Sequence, residues 1–190
     1  MHSAGISTDI QIRPEAEPET GALEAIHHRA FGESGEKIVA LLRALRQAPA
    51  ALAPISLVAV RGGVPVGHIL FSAGRLDAAP QLVDVFTLSP LAVDPTQQRR
   101  GVGTALIAAA LQEADRQGVP LVFLEGSAKY YSARGFERAS ALGFRSPSLR
   151  IPDVAFQVAR LSRFEQWMTG SFVYSEAFWA LDCVGLRAAG

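Results

Sequence analysis

The chain is short of the features that mark several large classes of protein. It has one cysteine, Cys183, in 190 residues, so no intrachain disulfide can form and an oxidising compartment is not indicated. Neither sign of charge is in excess: 18 lysines and arginines stand against 18 aspartates and glutamates. A balanced chain generates no broad field to attract nucleic acid or an anionic membrane surface, and neither is expected as a partner. No apolar run approaches the length of a membrane span, and Met1-His2-Ser3-Ala4-Gly5 lacks the basic and apolar regions of a signal peptide. The expected location is therefore cytoplasmic. Four histidines, at positions 2, 27, 28 and 68, show neither i, i+4 pairing nor clustering with cysteine, so no metal site is expected. His27 and His28 read as ordinary, partly exposed positions of a first helix.

What is present describes one domain over residues 10–190 after a loose tail over 1–9. Ile10 to Arg13 alternates like a short strand, and a helix is expected near Thr20 to Ala30. A clearer helix spans Gly35 to Gln47, where Ile38, Leu41, Leu42 and Leu45 fall on one stripe. Two β-rich runs, Ile55 to Arg61 and Val64 to Ala73, flank Gly62-Gly63 as in an antiparallel hairpin. Gly74 to Pro80 reads as a connection. The apolar run Leu82 to Val93 is interrupted at Ser89-Pro90, and proline removes a ladder donor, so a bulge and a distorted strand are expected there. The helix Gly101 to Gln117 stops at Gly118-Val119-Pro120, and Leu121 to Leu124 reads as a buried strand parallel to its predecessor. A short helix around Ala128 to Ala133 and further strands at Phe156 to Leu161 and Ser171 to Val173 complete the expectation.

The segment Leu91-Ala92-Val93-Asp94-Pro95-Thr96-Gln97-Gln98-Arg99-Arg100-Gly101-Val102-Gly103-Thr104 is the most informative part of the chain. It reads as a strand, a basic loop and the start of an amphipathic helix. Glycines without Cβ atoms let backbone N–H groups approach an anion, and the helix dipole adds about half a positive charge at that end. The plainer alternative is a tight turn onto a packed helix. A nucleoside-triphosphate loop would need a lysine before Thr104, and there is none. A dinucleotide fold would want a third glycine where Leu106 stands and a first glycine near the strand end, whereas seven residues separate Val93 from Gly101. Glu125 sits where a ribose-binding acid would, so an oxidoreductase reading stays open at this point.

Gln98-Arg99-Arg100-Gly101-Val102-Gly103 resembles the Q/R-x-x-G-x-G/A loop of the GNAT superfamily of acyl-CoA N-acyltransferases, and Leu91-Ala92-Val93-Asp94-Pro95 resembles the strand ending before it. Tyr131-Ser132-Ala133-Arg134-Gly135-Phe136 looks like that superfamily's Y-x-x-x-G-F segment. The Tyr130-Tyr131 doublet further resembles a bacterial branch of it. The resemblance implies an α/β (α+β) fold, a mixed, splayed central sheet flanked by helices. It implies acetyl-CoA as cosubstrate and transfer of acetyl to an amine, small-molecule or protein, by direct attack on the thioester. By position, Leu91, Ala92 and Val93 would meet the pantetheine. Gln98, Arg99, Arg100, Gly101, Val102, Gly103 and Thr104 would hold the pyrophosphate, and Arg134 would reach the phosphates. Tyr131 would be the acid for the leaving thiolate. Ser89 and Pro90 stand where many relatives place an acidic residue, which leaves Glu125 as first candidate for the base and Asp84 as second. The same loop would serve a noncatalytic acyl-CoA-binding module, and a homodimer is compatible with either reading.

Overall fold

The structure, a computed structural model, describes residues 10–186, so the expected tail over 1–9 lies outside the described residues. The elements run β1 (Ile10–Pro14), α1 (Thr20–Phe31), α2 (Gly35–Gln47), β2 (Ile55–Arg61), β3 (Val64–Ala78) and β4 (Leu82–Val93). They continue with α3 (Val102–Arg116), β5 (Leu121–Glu125), α4 (Ala128–Ser132), β6 (Glu137–Arg138), β7 (Phe144–Arg145), β8 (Phe156–Arg160), β9 (Gly170–Val173) and α5 (Glu176–Ala180). The strands form one mixed sheet in the order β1-β2-β3-β4-β5-β8-β6, with β9 pairing β3 and β7. Within it, β4 and β5 are parallel while their outer neighbours β3 and β8 run antiparallel to them. This is the expected mixed, splayed sheet flanked by helices, and it lacks the doubly wound parallel order of a dinucleotide fold.

Strand alternation sorts the side chains onto two faces. Leu57, Ala59, Ile69, Phe71 and Phe86 pack against Val102, Leu106, Ile107 and Ala110 of α3. On the opposite face Leu23 and Ile26 of α1 meet Val58, Val60 and Ala92, while Leu41, Leu42 and Leu45 of α2 join Leu70, Val85, Phe123 and Phe172. Each helix thus buries one stripe.

Pairing of β4 with β5 extends only over Phe86 with Val122 and Thr87 with Phe123. Beyond that rung, Ile69 pairs Leu91 and Phe71 pairs Leu88, so Ser89 and Pro90 together oppose the single residue Leu70. The bulge expected from the proline is there, and past it β4 follows β3 while β5 ends at Glu125. A gap opens between the two parallel strands.

Two expectations need correction. Residues 74–78 continue β3 and pair with β4 and β9; they are not a loop. Gly74 serves as a close-approach position there, because a Cβ would come within 2.9 Å of the Phe172 ring and 3.0 Å of Thr87 Oγ1. The second concerns His27, which is fully buried on the same face of α1 as Leu23 and Ile26, while its neighbour His28 is exposed.

Candidate functional site

The gap between β4 and β5 opens into a cleft of about 630 Å³. Its walls are the far edge of β4, the N-terminus of α3, α4, and the end of α1. The edge of β4 is free for a reason that its register makes plain. Asp94 N–H donates to Val66 O at 2.9 Å, which fixes the antiparallel alternation so that Ala92 exchanges hydrogen bonds with His68. Leu91 and Val93 therefore turn their N–H and C=O groups away from β3, toward the cleft they line. Gln98 Nε2 already donates to Val93 O at 3.2 Å, fixing the chain leaving the strand.

The loop that follows uses two left-handed residues, Arg99 with φ 60° and Gly101 with φ 80°. Gly101 caps α3, and the first bond in the helix runs from Ala105 N–H to Gly101 O at 3.0 Å. The N–H groups of Val102, Gly103 and Thr104 precede that bond and carry the orphan donors of the helix start. Gly101, Val102, Gly103 and Thr104 all line the cleft, with Arg99 and Gln98 beside them. Arg100 is exposed and does not line it.

On the opposite wall, Ser127 caps α4 by accepting from Tyr130 N–H at 3.3 Å, a role that a lone serine before two tyrosines does not advertise. The Arg134 guanidinium lies 3.6 Å from the centre of the Tyr130 ring, its Nε donates to Thr104 Oγ1 at 3.0 Å, and Nη1 donates to Tyr130 O. Arg134 thus links α4 to the first turn of α3 with its charge at the cleft. The Tyr131 ring packs on Gly126 and edge-on to Phe136 and Tyr130. Burial, assisted by neighbouring Tyr130, pushes its phenol up to about 12. Gln97, next to Gln98 in the loop, also lines the cleft, as do Ala30 and Phe31, which no motif spacing marks because only the tertiary packing of α1 brings them there.

Glu125 ends β5 on the other side from Tyr131. It accepts from Tyr174 Oη at 2.7 Å and from Gly185 N–H at 3.0 Å, and it is not among the residues lining the cleft. Burial raises its carboxyl above the usual range, against the opposing effect of those two hydrogen bonds and of Arg150. Asp84 pairs with Arg75 at 3.1 Å, both about half exposed, and also lies outside the cleft lining. Among the described residues, no group of three or more His, Cys, Asp or Glu is placed to hold a metal ion. No described helix is long and apolar enough to cross a membrane.

A parallel pair forced apart by a bulge, with an open strand edge leading to a glycine-capped helix, is the architecture of the acetyltransferases of the GNAT family. The chain belongs to that family: the family's sequence profile, described as Acetyltransferase (GNAT) family, matches residues 20–136. A relative from Escherichia coli (strain K12), the uncharacterized N-acetyltransferase YjhQ, is 35% identical over 126 residues, or 66% of this chain and 68% of that one. Among solved structures, the GNAT family N-acetyltransferase YhbS of Escherichia coli, in complex with CoA, superposes with a TM-score of 0.79 at 26% identity, covering 93% of this chain and 96% of that chain. A GNAT family acetyltransferase of Brucella melitensis in complex with acetyl-CoA gives a TM-score of 0.71 at 26% identity, covering 89% and 97%.

Proposed function

We propose that the protein is a cytoplasmic, acetyl-CoA-dependent N-acetyltransferase that transfers acetyl to an amine. The observation that carries this reading is the continuity of one cleft, from the edge of β4 at Leu91 and Val93, which no neighbouring strand among the described residues covers, to the orphan N–H groups of Val102, Gly103 and Thr104. A pantetheine amide chain fits the former as an added strand, and a pyrophosphate fits the latter. That two solved relatives bind CoA or acetyl-CoA supports the assignment.

The cosubstrate supplies a thioester carbonyl. The chain's own residues do the rest. Leu91 and Val93 orient the pantetheine through backbone hydrogen bonds, and Arg99 with Arg134 balances the phosphate charge. Tyr131 stays protonated across the physiological range and holds the proton required by the departing thiolate. Glu125, held ready by Tyr174 and raised in basicity by burial, takes the proton of the incoming ammonium through water from the opposite side of β5.

One observation favours a second reading, a noncatalytic acyl-CoA-binding module. Both oxygens of Glu125 already have donors, and Ser89 and Pro90 offer no carboxylate at the fork. The test is calorimetry with acetyl-CoA and NAD, followed by a panel of amines scored for acetyl-CoA-dependent release of free thiol. Binding of acetyl-CoA with thiol release supports the enzyme. Binding with no release from any amine class supports the module, and a preference for NAD overturns both.

A further inference from the structure

Outside the cleft, the chain buries a second set of polar groups that the transfer reaction does not use. Glu15 follows β1, Ser56 lies on β2, His68 on β3 and His27 on α1, and they form one chain of hydrogen bonds. Ser56 Oγ donates to Glu15, His68 Nε2 lies 2.8 Å from Ser56 Oγ, and His27 Nε2 lies 2.8 Å from His68 Nδ1. Arg46 of α2 donates to the other Glu15 oxygen at 2.5 Å.

The direction of every bond follows from the Glu15 end. Burial would raise the Glu15 carboxyl, but the nearby His68 Nε2, 3.6 Å away, and the hydrogen bonds from Ser56 and Arg46 outweigh it and hold it at about 2. An ionised carboxylate only accepts, so Ser56 must spend its single proton on it. Ser56 Oγ then accepts from His68 Nε2–H, which leaves His68 Nδ1 bare and obliges His27 to donate from Nε2. His27 Nδ1 is left with a lone pair, buried and without a partner. Both imidazoles are fully buried and neutral, and burial is the main cause of the lowered basicity of each.

Both histidines also stand one step behind the cleft wall. His27 stacks on Phe31 with ring centres 6.2 Å apart, and Phe31 and Ala30 line the cleft. His68 is the cross-strand partner of Ala92, the residue between the two open cleft residues of β4. We propose that His27 and His68 are positioning residues for the acyl-CoA cleft: their hydrogen bond fixes the end of α1 against β3, directly beside the open stretch of β4, and a proton added to the pair loosens that wall. This inference rests on the reading of the cleft as an acyl-CoA site. The charged groups facing the pair are Glu15 and Arg46; β2 and β4 present Val58 and Ala92. The bare acceptor is His27 Nδ1, and a proton gained there is buried on the face of α1 that carries Leu23 and Ile26, with Glu15 reached only through His68 and Ser56, so acid favours arrangements in which α1 has moved off the sheet.

The test is acetyl-CoA calorimetry on the whole protein at pH 8 and pH 5.5, with His27→Leu and His27→Gln as variants. Glutamine keeps a donor near the Nε2 position and cannot charge, while leucine strands His68 Nδ1. At pH 8 the expected affinity is about tenfold weaker for His27→Leu and within about twofold of wild type for His27→Gln. Between pH 8 and 5.5 wild type should weaken more than His27→Gln, by about three- to tenfold, and the titration of the ligand's own phosphate cancels in that comparison. A folded His27→Leu protein with wild-type affinity, or equal pH dependence in wild type and His27→Gln, overturns the inference alone. Wild-type protein that binds no acetyl-CoA overturns the cleft reading and this one with it. If His27→Leu does not fold, imidazole nitrogen resonances of the wild type decide: both histidines should shift on adding acetyl-CoA, and unmoved signals overturn the proposal.

Discussion

The Tyr130 hydroxyl occupies the space where a side chain on Gly103 would begin: a Cβ there would lie 2.3 Å from Tyr130 Oη. Gly103 therefore does more than expose an N–H group, because it also admits the α4 wall to the first turn of α3. Its backbone is helical, so space alone is at stake. Gly103→Ala should displace Tyr130, which Arg134 holds by its ring face, and weaken acetyl-CoA binding about tenfold. After Oη, the nearest atom to that Cβ is Tyr130 Cζ at 3.7 Å, an ordinary contact. Adding Tyr130→Phe to Gly103→Ala should accordingly restore affinity to within about threefold of wild type. Calorimetry on the single and double variants checks this, and a double variant as weak as the single would show that the clash is not the cause.

Tyr131→Phe keeps the ring on Gly126 and Phe136 and removes only the hydroxyl. Turnover with an identified amine should fall by about 10²- to 10⁴-fold, with acetyl-CoA affinity unchanged. Because burial pushes the phenol up to about 12, ionisation of Tyr131 should cause no loss of wild-type rate up to about pH 10. Steady-state rates and calorimetry on the same preparations separate the two effects.

For Glu125, replacement by glutamine should lower the rate near neutral pH and allow partial recovery at higher pH, where more of the amine is already neutral. Tyr174→Phe provides a more specific test. The Tyr174 hydroxyl donates to the carboxylate and favours its ionised form, so removing that bond raises the Glu125 carboxyl further. The acid limb of the pH–rate profile should move to higher pH in Tyr174→Phe. An acid limb that stays where the wild type has it would make Glu125 a tether for Tyr174 and Gly185 alone.

The parts legible in the sequence were those governed by local chemistry. Ser89-Pro90 announced the bulge because proline cannot donate to the ladder, and the glycines at 101 and 103 marked the cap and first turn of α3. Arg75, Leu76, Asp77 and Ala78 alternate exposed, buried, exposed, buried, a strand period masked by Gly74 before them and Pro80 after. The partners of Glu125 could not be read, because Tyr174 and Gly185 lie 49 and 60 residues further along the chain. The same holds for His27 and His68, which are 41 residues apart and meet only because α1 lies across β3. Composition and spacing carry no record of such a meeting.

The buried histidines should make the fold acid-sensitive, and the sign follows from linkage. In the unfolded chain a histidine takes up a proton as pH falls through about 6.5; in the folded protein His27 resists until about 3, and His68 is lowered in the same direction. Below about pH 6.5 the unfolded state binds more protons than the folded one, so stability present above that pH is lost as pH falls. His27 alone should cost on the order of 2 kcal/mol by about pH 5. Glu15, lowered from its ordinary value to about 2, adds a second loss in the same direction between about pH 4.5 and 2. Urea titrations at pH 8, 6.5 and 5 should show midpoints falling mainly over the last interval, and His27→Gln should flatten that fall. A midpoint independent of pH between 6.5 and 5 would mean that the two imidazoles are not held neutral in the folded protein.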